Sequence, residues 1–393
     1  MKILSFGHIP VWAGGRQSSG LANVIYQLAK NMASCKDVEL TLAATDVFKP
    51  TIHDGDLTIM GWSKGVFVKY ALAHPLVSIK WFAVVLSSRV KYGRKISVPG
   101  FFFKGLHLSR CLNLVKPDVV HLHGMNACIY DRIVSTNIKV VVTMHGLIGT
   151  DKTIPDQANY MKMEQAVCKS ARYSFVAFIA NQLRDDFAAL YQGIKSKSVA
   201  ISNAYDGRTF YYVEPIEHDI QTLVTVASLS DNKGQHRVLE AIAKSGINCK
   251  YVCIGAGTED MVARNKAIAK QYGIDYEYVG KKTPSEIHEY MALADYMILP
   301  SSTEGFGLVF LEAIACGVPV ILPKHLPIVK ESNIIKPRVN ALLTEDSSSD
   351  AIADVLKKVN EYNFNHQEVS QTISGYTWDG IAQQYIDTIK NCL

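Results

Sequence analysis

The stretch from Asp295 to Pro323, DYMILPSSTEGFGLVFLEAIACGVPVILP, limits the fold more than any other part of this chain. Tyr296 to Leu299 is a short apolar run closed by Pro300, which suits a strand buried on both faces of a parallel sheet. Ser301 to Gly307 is a polar, glycine-containing turn. Leu308 to Ala315 then carries strong helix formers, and Gly317 supplies a stop. Val318 to Leu322 begins the next strand, so the stretch reads as strand, turn, helix and strand.

Its chemistry lies in two glutamates eight residues apart, Glu304 in the turn and Glu312 in the helix, with Gly305, Phe306 and Gly307 between them. A helix start offers unpaired N–H groups and a partial positive charge, and glycine lets a ligand approach the backbone. An anionic or polyhydroxylated ligand is implied. A glycosidase pair is the other reading of two carboxylates. Eight helical steps of about 1.5 Å would set these about 12 Å apart along one wall, whereas that reaction needs them on opposite sides of the bond. Hydrogen bonding to hydroxyls fits better.

With 393 residues, about 150 per domain, the chain has room for two or three domains, and its 48% hydrophobic content is ample for two cores. Eight scattered cysteines contain no CxxC pair and point to a reducing, cytoplasmic compartment. The opening MKILSFG is too short in apolar length for a signal peptide and reads as a first strand, and no apolar run reaches the roughly 18 residues of a membrane span. Charge is lopsided. Residues 1–200 hold 24 Lys/Arg against 12 Asp/Glu, and the remainder holds 17 against 24, so the halves are expected to meet different partners.

Ile3 to Phe6 reads as a strand, Gly14, Gly15 and Gly20 as the loop before a helix over Leu21 to Met32, and Val38 to Ala43 as a second strand with Asp46 just after it. This is a Rossmann-type opening. The glycines do not form G-x-G-x-x-G, which counts against a dinucleotide fingerprint. Asp54-Gly55-Asp56 has the spacing of a metal-binding acid pair, but an Asp-Gly between extended runs is more often a turn. Two further strands are expected to end in His121-Leu122-His123 and in His145-Gly146. The first two histidines share a strand face, yet no third ligand follows at zinc spacing. Strand ends of open parallel sheets bind ligands, so substrate contact and a structural hydrogen bond stay open for His121 and His123. Phe175 to Ile179 and Ser198 to Ile201 complete the first sheet, and the Pro215-containing run from Glu214 to Ile220 reads as a hinge.

The second sheet is expected to begin with Thr222 to Ala227, followed by Ser228 to Gly234 and a helix over Gln235 to Lys244. Lys233 stands at that helix entrance, where it adds a cation to an anion site. Lys250 to Ile254 ends in Gly255-Ala256-Gly257, and strands and helices go on alternating through Tyr276 to Gly280, Ser285 to Leu293 and the segment described first. Leu342 to Asp350 reads as a strand end and loop, and Ala351 to Glu361 as a helix.

The two-glutamate segment resembles the signature of the retaining nucleotide-sugar glycosyltransferases of family four, which have the two-Rossmann (GT-B type) fold. The resemblance implies an α/β chain of two doubly wound domains facing each other across a cleft. Residues 1–205 would form the acceptor side and 206–375 the donor-binding domain, with a terminal helix over 376–393 crossing back to the first. It implies catalytic roles for Glu304 at the donor sugar, Lys233 at the diphosphate and His145 beside the sugar. Donor binding would fall to the Gly305, Phe306 and Gly307 amides, to Glu312 at the ribose, to Gly14 and Gly15 over the phosphates, and to Gly255 and Gly257 under the nucleotide. The substrate would be a nucleotide diphosphate sugar, with no metal and no separate cofactor. One departure is visible: the family usually has Gly-Arg where this chain has Ala227-Ser228, and Arg16, Lys281 and Lys282 are candidates to replace that arginine. A nucleotide-sugar epimerase or hydrolase, or a catalytically silent sugar-nucleotide binder, are the rival readings.

Leu57 to Pro117 stands apart, with ten Lys/Arg and no acid. Leu76 to Leu86 holds Ile79, Trp81, Phe82, Val84 and Val85 and is followed by Arg89, Lys91, Arg94 and Lys95, while Phe101 to Phe103 precede Lys104. Cations beside apolar bulk suit an anionic membrane surface, here the inner face, with a lipid-linked acceptor. The bland alternative is a domain core with a solvated basic face. Nucleic acid is given no role.

Overall fold

The structure, a computed structural model, describes the chain apart from residues 17–19, 48–50, 95, 150–154, 217–219, 332 and 393 and the side chain of residue 64. Part of the Glu214 to Ile220 hinge and Lys95 therefore lie outside the described residues. The chain divides into two compact units, Met1–Asn203 with Trp378–Leu393, and Ala204–Thr377.

The first unit opens with β1 (Lys2–Gly7), α1 (Gly20–Ala33), β2 (Glu39–Ala44), β3 (Thr51–Asp54) and β4 (Leu57–Met60). Three helices follow in succession, α2 (Lys64–Ala73), α3 (Pro75–Tyr92) and α4 (Val98–Val115). Alternation resumes with β5 (Val119–His123), α5 (Ala127–Tyr130), β6 (Lys139–Met144), α6 (Gln157–Lys169), β7 (Phe175–Phe178), α7 (Asn181–Leu190) and β8 (Ser198–Ala200). The eight strands lie in the order β3-β4-β2-β1-β5-β6-β7-β8, parallel except for the β3–β4 hairpin. Asp54-Gly55-Asp56 is that hairpin's turn. Gly55 takes a positive φ, and Asp54 accepts hydrogen bonds from the Tyr26 hydroxyl and, at 3.1 Å, from Lys30 Nζ, so its carboxylate is spent inside the fold. Central strands such as Val140 to Val142 are fully buried, as a sheet covered on both faces requires.

The second unit runs β9 (Gln221–Val226), α8 (Gln235–Ser245), β10 (Cys249–Ile254), α9 (Glu259–Tyr272), β11 (Asp275–Gly280) and α10 (Pro284–Met291). It continues with β12 (Tyr296–Ile298), α11 (Leu308–Ala315), β13 (Val320–Pro323), β14 (Ala341–Thr344), α12 (Ser349–Leu356) and α13 (His366–Gln371). All six strands are parallel, in the order β11-β10-β9-β12-β13-β14. The core on one face of this sheet joins Leu223, Tyr251 and Ile298 to Val238, Leu239 and Ile242 of α8 and to Ile352 and Leu356 of α12.

Two expectations are corrected. The helix expected over Ala351 to Glu361 is two pieces, because α12 stops at Leu356 and Val359–Glu361 form a separate 3-10 turn. α13 was not anticipated, its six residues being too few to show a helical period.

The last helix, α14 (Trp378–Lys390), belongs to the first unit and packs along α1. Its inner face buries Trp378, Ile381, Tyr385, Ile386 and Ile389.

Candidate functional site

In the second sheet the chain turns outward in opposite directions from β9 and β12, which lie side by side. The loops leaving their carboxyl ends therefore bound a crevice, the place where open parallel sheets take ligands. One loop is Ser228 to Gly234 and the other Ser301 to Gly307.

Both loops run into helix starts that lack a side-chain cap and an acid in the first turn, α8 after Gly234 and α11 after Gly307. Each start therefore leaves leading N–H groups without a side-chain cap and carries a partial positive charge. α9 differs, since Thr258 caps it and Glu259 and Asp260 fill its first turn, so it repels phosphate.

Across the crevice Lys233 Nζ donates to Glu304 Oε1, which also accepts from Ser301 Oγ at 2.8 Å. The two side chains are 24% and 11% exposed, so a cation and a carboxylate face each other at a partly shielded strand edge. Asn232 ties the loops together. Its Oδ1 accepts from the Thr303 N–H and Oγ1, both at 3.0 Å, and its Nδ2 donates to the Thr303 carbonyl at 3.1 Å. Arg237 fastens the same corner from α8, donating to the carbonyls of Asp231 and Pro300, each at 2.8 Å.

Glu312 sits half-buried one helical turn into α11. Burial, with Asp206 repelling it as a second cause, pushes its carboxyl up to about 7. Phe306 is buried and anchors the turn, while Gly305 is exposed beside it. Gly255 closes the other side of β9: at φ +147° its α-carbon lies so near the Ala227 carbonyl that a β-carbon would stand 2.0 Å from it. Gly257 is less confined, since a β-carbon there would lie 3.1 Å from the Leu229 side chain and 3.2 Å from the Tyr278 hydroxyl.

In the first unit the corresponding edge is formed by β1, β2, β5 and β6. Gly14 ends a short 3-10 turn with positive φ, and Gly15 leaves no room for a β-carbon, which would lie 2.0 Å from the Ile9 carbonyl. Asp46, buried at the end of β2, accepts from the Ile9 and Arg16 N–H groups. Its carboxylate thus holds the glycine loop in place and is not left for a ribose. Trp12 stands in that loop, 54% exposed, edge-on to Tyr26.

The histidines separate. His121 Nε2 meets Thr143 Oγ1 at 2.7 Å, and Thr143 meets the Tyr385 hydroxyl at 3.1 Å, a buried chain that fastens α14 to the sheet. Burial, and secondarily His145, lowers His121 to about 3. The structural alternative holds for this residue. His123 bridges Ser5 Oγ at 3.2 Å and His145 Nε2 at 3.0 Å. His145 is lowered to about 4 by burial and is therefore neutral near pH 7, while its Nδ1 is buried without a partner. Glu164, missed in the sequence, accepts from Ile148 N–H at 2.7 Å, from Gly149 N–H and from the Tyr191 hydroxyl, and so shapes the loop that follows His145.

Of the replacements considered for the missing arginine, Lys282 is paired with Glu286 at 3.1 Å. Arg16 belongs to the first unit, where its N–H is bound by Asp46.

Two doubly wound, largely parallel sheets in one chain, each with glycine-bearing turns at its carboxyl edge, make up the GT-B fold. Residues 18–207 match the family described as Glycosyltransferase Family 4, and residues 213–372 match Glycosyl transferases group 1. The chain thus carries a domain of each.

An uncharacterised glycosyltransferase of Methanocaldococcus jannaschii is 25% identical over 71% of this chain and 76% of its own length. A lipopolysaccharide 1,2-N-acetylglucosaminetransferase of Salmonella typhimurium is 28% identical over 45% of this chain and 50% of its own. The chain spans about half the length of several curated relatives that it matches. Among solved structures, the sucrose-phosphate synthase of Thermosynechococcus elongatus superposes with a TM-score of 0.74 at 16% identity, covering 100% of this chain and 99% of that one. The Anabaena protein HepE in complex with UDP gives 0.70 at 17% identity, with 100% of both chains covered.

Proposed function

We propose that the protein is a retaining glycosyltransferase of family four, moving a hexose from a nucleotide diphosphate sugar to a glycan or lipid-linked acceptor in surface polysaccharide synthesis. The observation that carries this reading is the Lys233–Glu304 pair between two uncapped helix starts at the β9–β12 crevice. A cation beside uncapped helix-start N–H groups suits a diphosphate, and a carboxylate next to them suits sugar hydroxyls. In support, similar solved structures contain UDP and UDP-glucose, and curated relatives act in lipopolysaccharide and colanic acid synthesis.

In this reading Lys233 and the start of α8 hold the diphosphate, Glu304 and the Gly305–Gly307 turn hold the sugar, and Glu312 takes the ribose hydroxyls. Gly255 and Gly257 let the backbone pass closely beneath the nucleotide. The first unit takes the acceptor, and its neutral His145 is proposed to act at the donor sugar and its Gly14–Gly15 turn at the donor phosphates. The bond from the anomeric carbon to the phosphate oxygen breaks on the face where the acceptor oxygen bonds. The acceptor proton passes to the leaving phosphate. Stabilising the departing charge and positioning the two substrates are then the protein's work, with no metal or cofactor invoked. Eight free thiols support a reducing cytoplasmic location.

Thermal-shift screening against nucleotide sugars, followed by incubation with the selected donor and a cell lipid or glycan extract, tests the proposal. A donor-induced shift and an acceptor-dependent product with the donor's anomeric configuration are expected. Rapid consumption of donor alone would identify the epimerase or hydrolase, and binding without turnover the silent binder.

A further inference from the structure

Helix α3 has two apolar stripes on opposite faces. Trp81, Val85, Ser88 and Tyr92, spaced by four, three and four residues, are buried on the first unit, and Trp81 Nε1 donates to the carbonyls of Phe101 and Phe102 at 3.2 and 3.0 Å. The outer stripe runs Leu76, Ile79, Ala83, Leu86 and Val90, spaced by three and four, and its four large members are 81, 67, 41 and 88% exposed. Leu72, just before the 103° bend from α2 into α3, is 76% exposed. Bare apolar surface of this extent marks a binding face.

Charge decides what covers it. Lys80 and Lys91 flank the stripe and Arg94 follows it, all exposed, and no acid occurs anywhere from Leu57 to Pro117. A second copy of α3 would fit the three-and-four spacing of a helical seam. It would also set Lys80 and Arg89 at the flanking positions that pair across such a seam, with only cations and neutral groups to meet them. A membrane span is unsuited: no single helix among the described residues is long and apolar enough, and although α2 and α3 together have the length and composition of a span bent by 103°, the inner stripe of α3 is already occupied by protein. An anionic surface accepts the apolar stripe and the cations together.

We propose that α3, with the end of α2, lies in the plane of an anionic lipid bilayer and docks the first unit on it. The outer stripe enters the boundary between headgroups and acyl chains, and the lysines rest among the phosphates. Beside the stripe a cavity of about 270 Å³ between α3 and α4 is lined by Lys80, Trp81 and Val84 and by Arg132. Two cations over an apolar floor suit one phosphate-bearing headgroup. Arg89 has another task, donating to the carbonyls of Arg94 and Ile96 at 3.2 and 2.8 Å and so closing the turn after α3.

This surface is independent of the proposed transfer reaction, because binding is read with neither donor nor acceptor present. The full chain is sedimented with vesicles of phosphatidylcholine alone or mixed equally with phosphatidylglycerol, at low and high salt. Binding to the anionic vesicles alone, weakening with salt, is expected. Each cation near the surface contributes about fivefold, so Lys80→Gln, Lys91→Gln and Arg94→Gln together lose about a hundredfold. Ile79→Ser, Leu86→Ser and Val90→Ser abolish what binding survives high salt. All six positions are exposed, so both variants keep the parent melting temperature and any nucleotide-induced shift. Equal binding to both vesicle types, binding to neither, or a solution dimer dissolved by the serine variant overturns the proposal.

Discussion

Lys233 and Glu304 pair in the free protein, so in the proposed reaction an arriving diphosphate would compete with Glu304 for the ammonium. Lys233→Ala removes a preorganised charge and is expected to cost about 2 to 4 kcal/mol in kcat/KM. Glu304→Ala is expected to lower kcat more than it raises the donor KM, since in the proposed reaction it contacts the reacting sugar. The double variant is expected to lose less than the sum of the singles, because each single leaves the other charge partly shielded and unpaired. Strict additivity in steady-state kinetics would mean that the two residues act at separate places. Glu312 gives a pH-dependent counterpart. Its carboxyl is raised to about 7, chiefly by burial, so it is neutral below that pH and the fold meets the cost of its charge as pH rises through 7. In the proposed complex ribose hydroxyls donate to it and favour the charged form, so donor binding is expected to release a proton and to tighten from pH 6 to pH 8. Calorimetry on Glu312→Gln should show that dependence gone; a pH-dependence unchanged in this variant would place the titrating group elsewhere.

Among elements, the βα units were legible wherever a short apolar run, a turn and a periodic segment followed one another. Between β9 and α11 every element that was given bounds falls within two residues of them, and α11 falls on them, whereas α9 had been given none. The loop ties were not legible. Asn232 was an ordinary turn residue in the sequence, and its hold on Thr303 spans 71 positions that no local pattern connects. Arg237 left one faint signal, a cation in the first turn of a helix where the dipole disfavours it. His121 and His123 could not be told apart by their spacing, because Thr143 and Tyr385, which decide the matter, lie 22 and 264 residues from His121 in sequence. Asn232→Ala tests the element reading. The site is exposed, so water satisfies most of the freed groups and the stability loss is expected near 1 kcal/mol. Catalysis should suffer more, with kcat falling at least tenfold as Glu304 loses its fixed position, and Asn232→Asp, which keeps the acceptor for Thr303 N–H, should recover part of it. A parallel small loss in both stability and kcat would make Asn232 a structural residue only.

At the scale of the whole molecule, the first unit is assembled from both ends of the chain, whereas the second is continuous from Ala204 to Thr377. The closing piece is α14, which fills a groove of the first unit with Trp378, Ile381, Tyr385, Ile386 and Ile389, each no more than 6% exposed. Burial of such side chains is worth about 1.5 to 3 kcal/mol apiece, so the helix contributes on the order of 10 kcal/mol. That is comparable with the entire stability of a domain, about 5 to 15 kcal/mol. Its loss would also strip the Tyr385 hydroxyl from Thr143 and open the sheet edge that carries His121 and His145. A chain ending at Thr377 is therefore expected to keep the second unit folded and to lose the first. Limited proteolysis should leave a resistant fragment near Ala204–Thr377 and digest residues before it, while a nucleotide that binds the second unit still raises the melting temperature of the fragment. Equal resistance of both halves in the truncated chain would show that α14 only covers the first unit and does not complete its core.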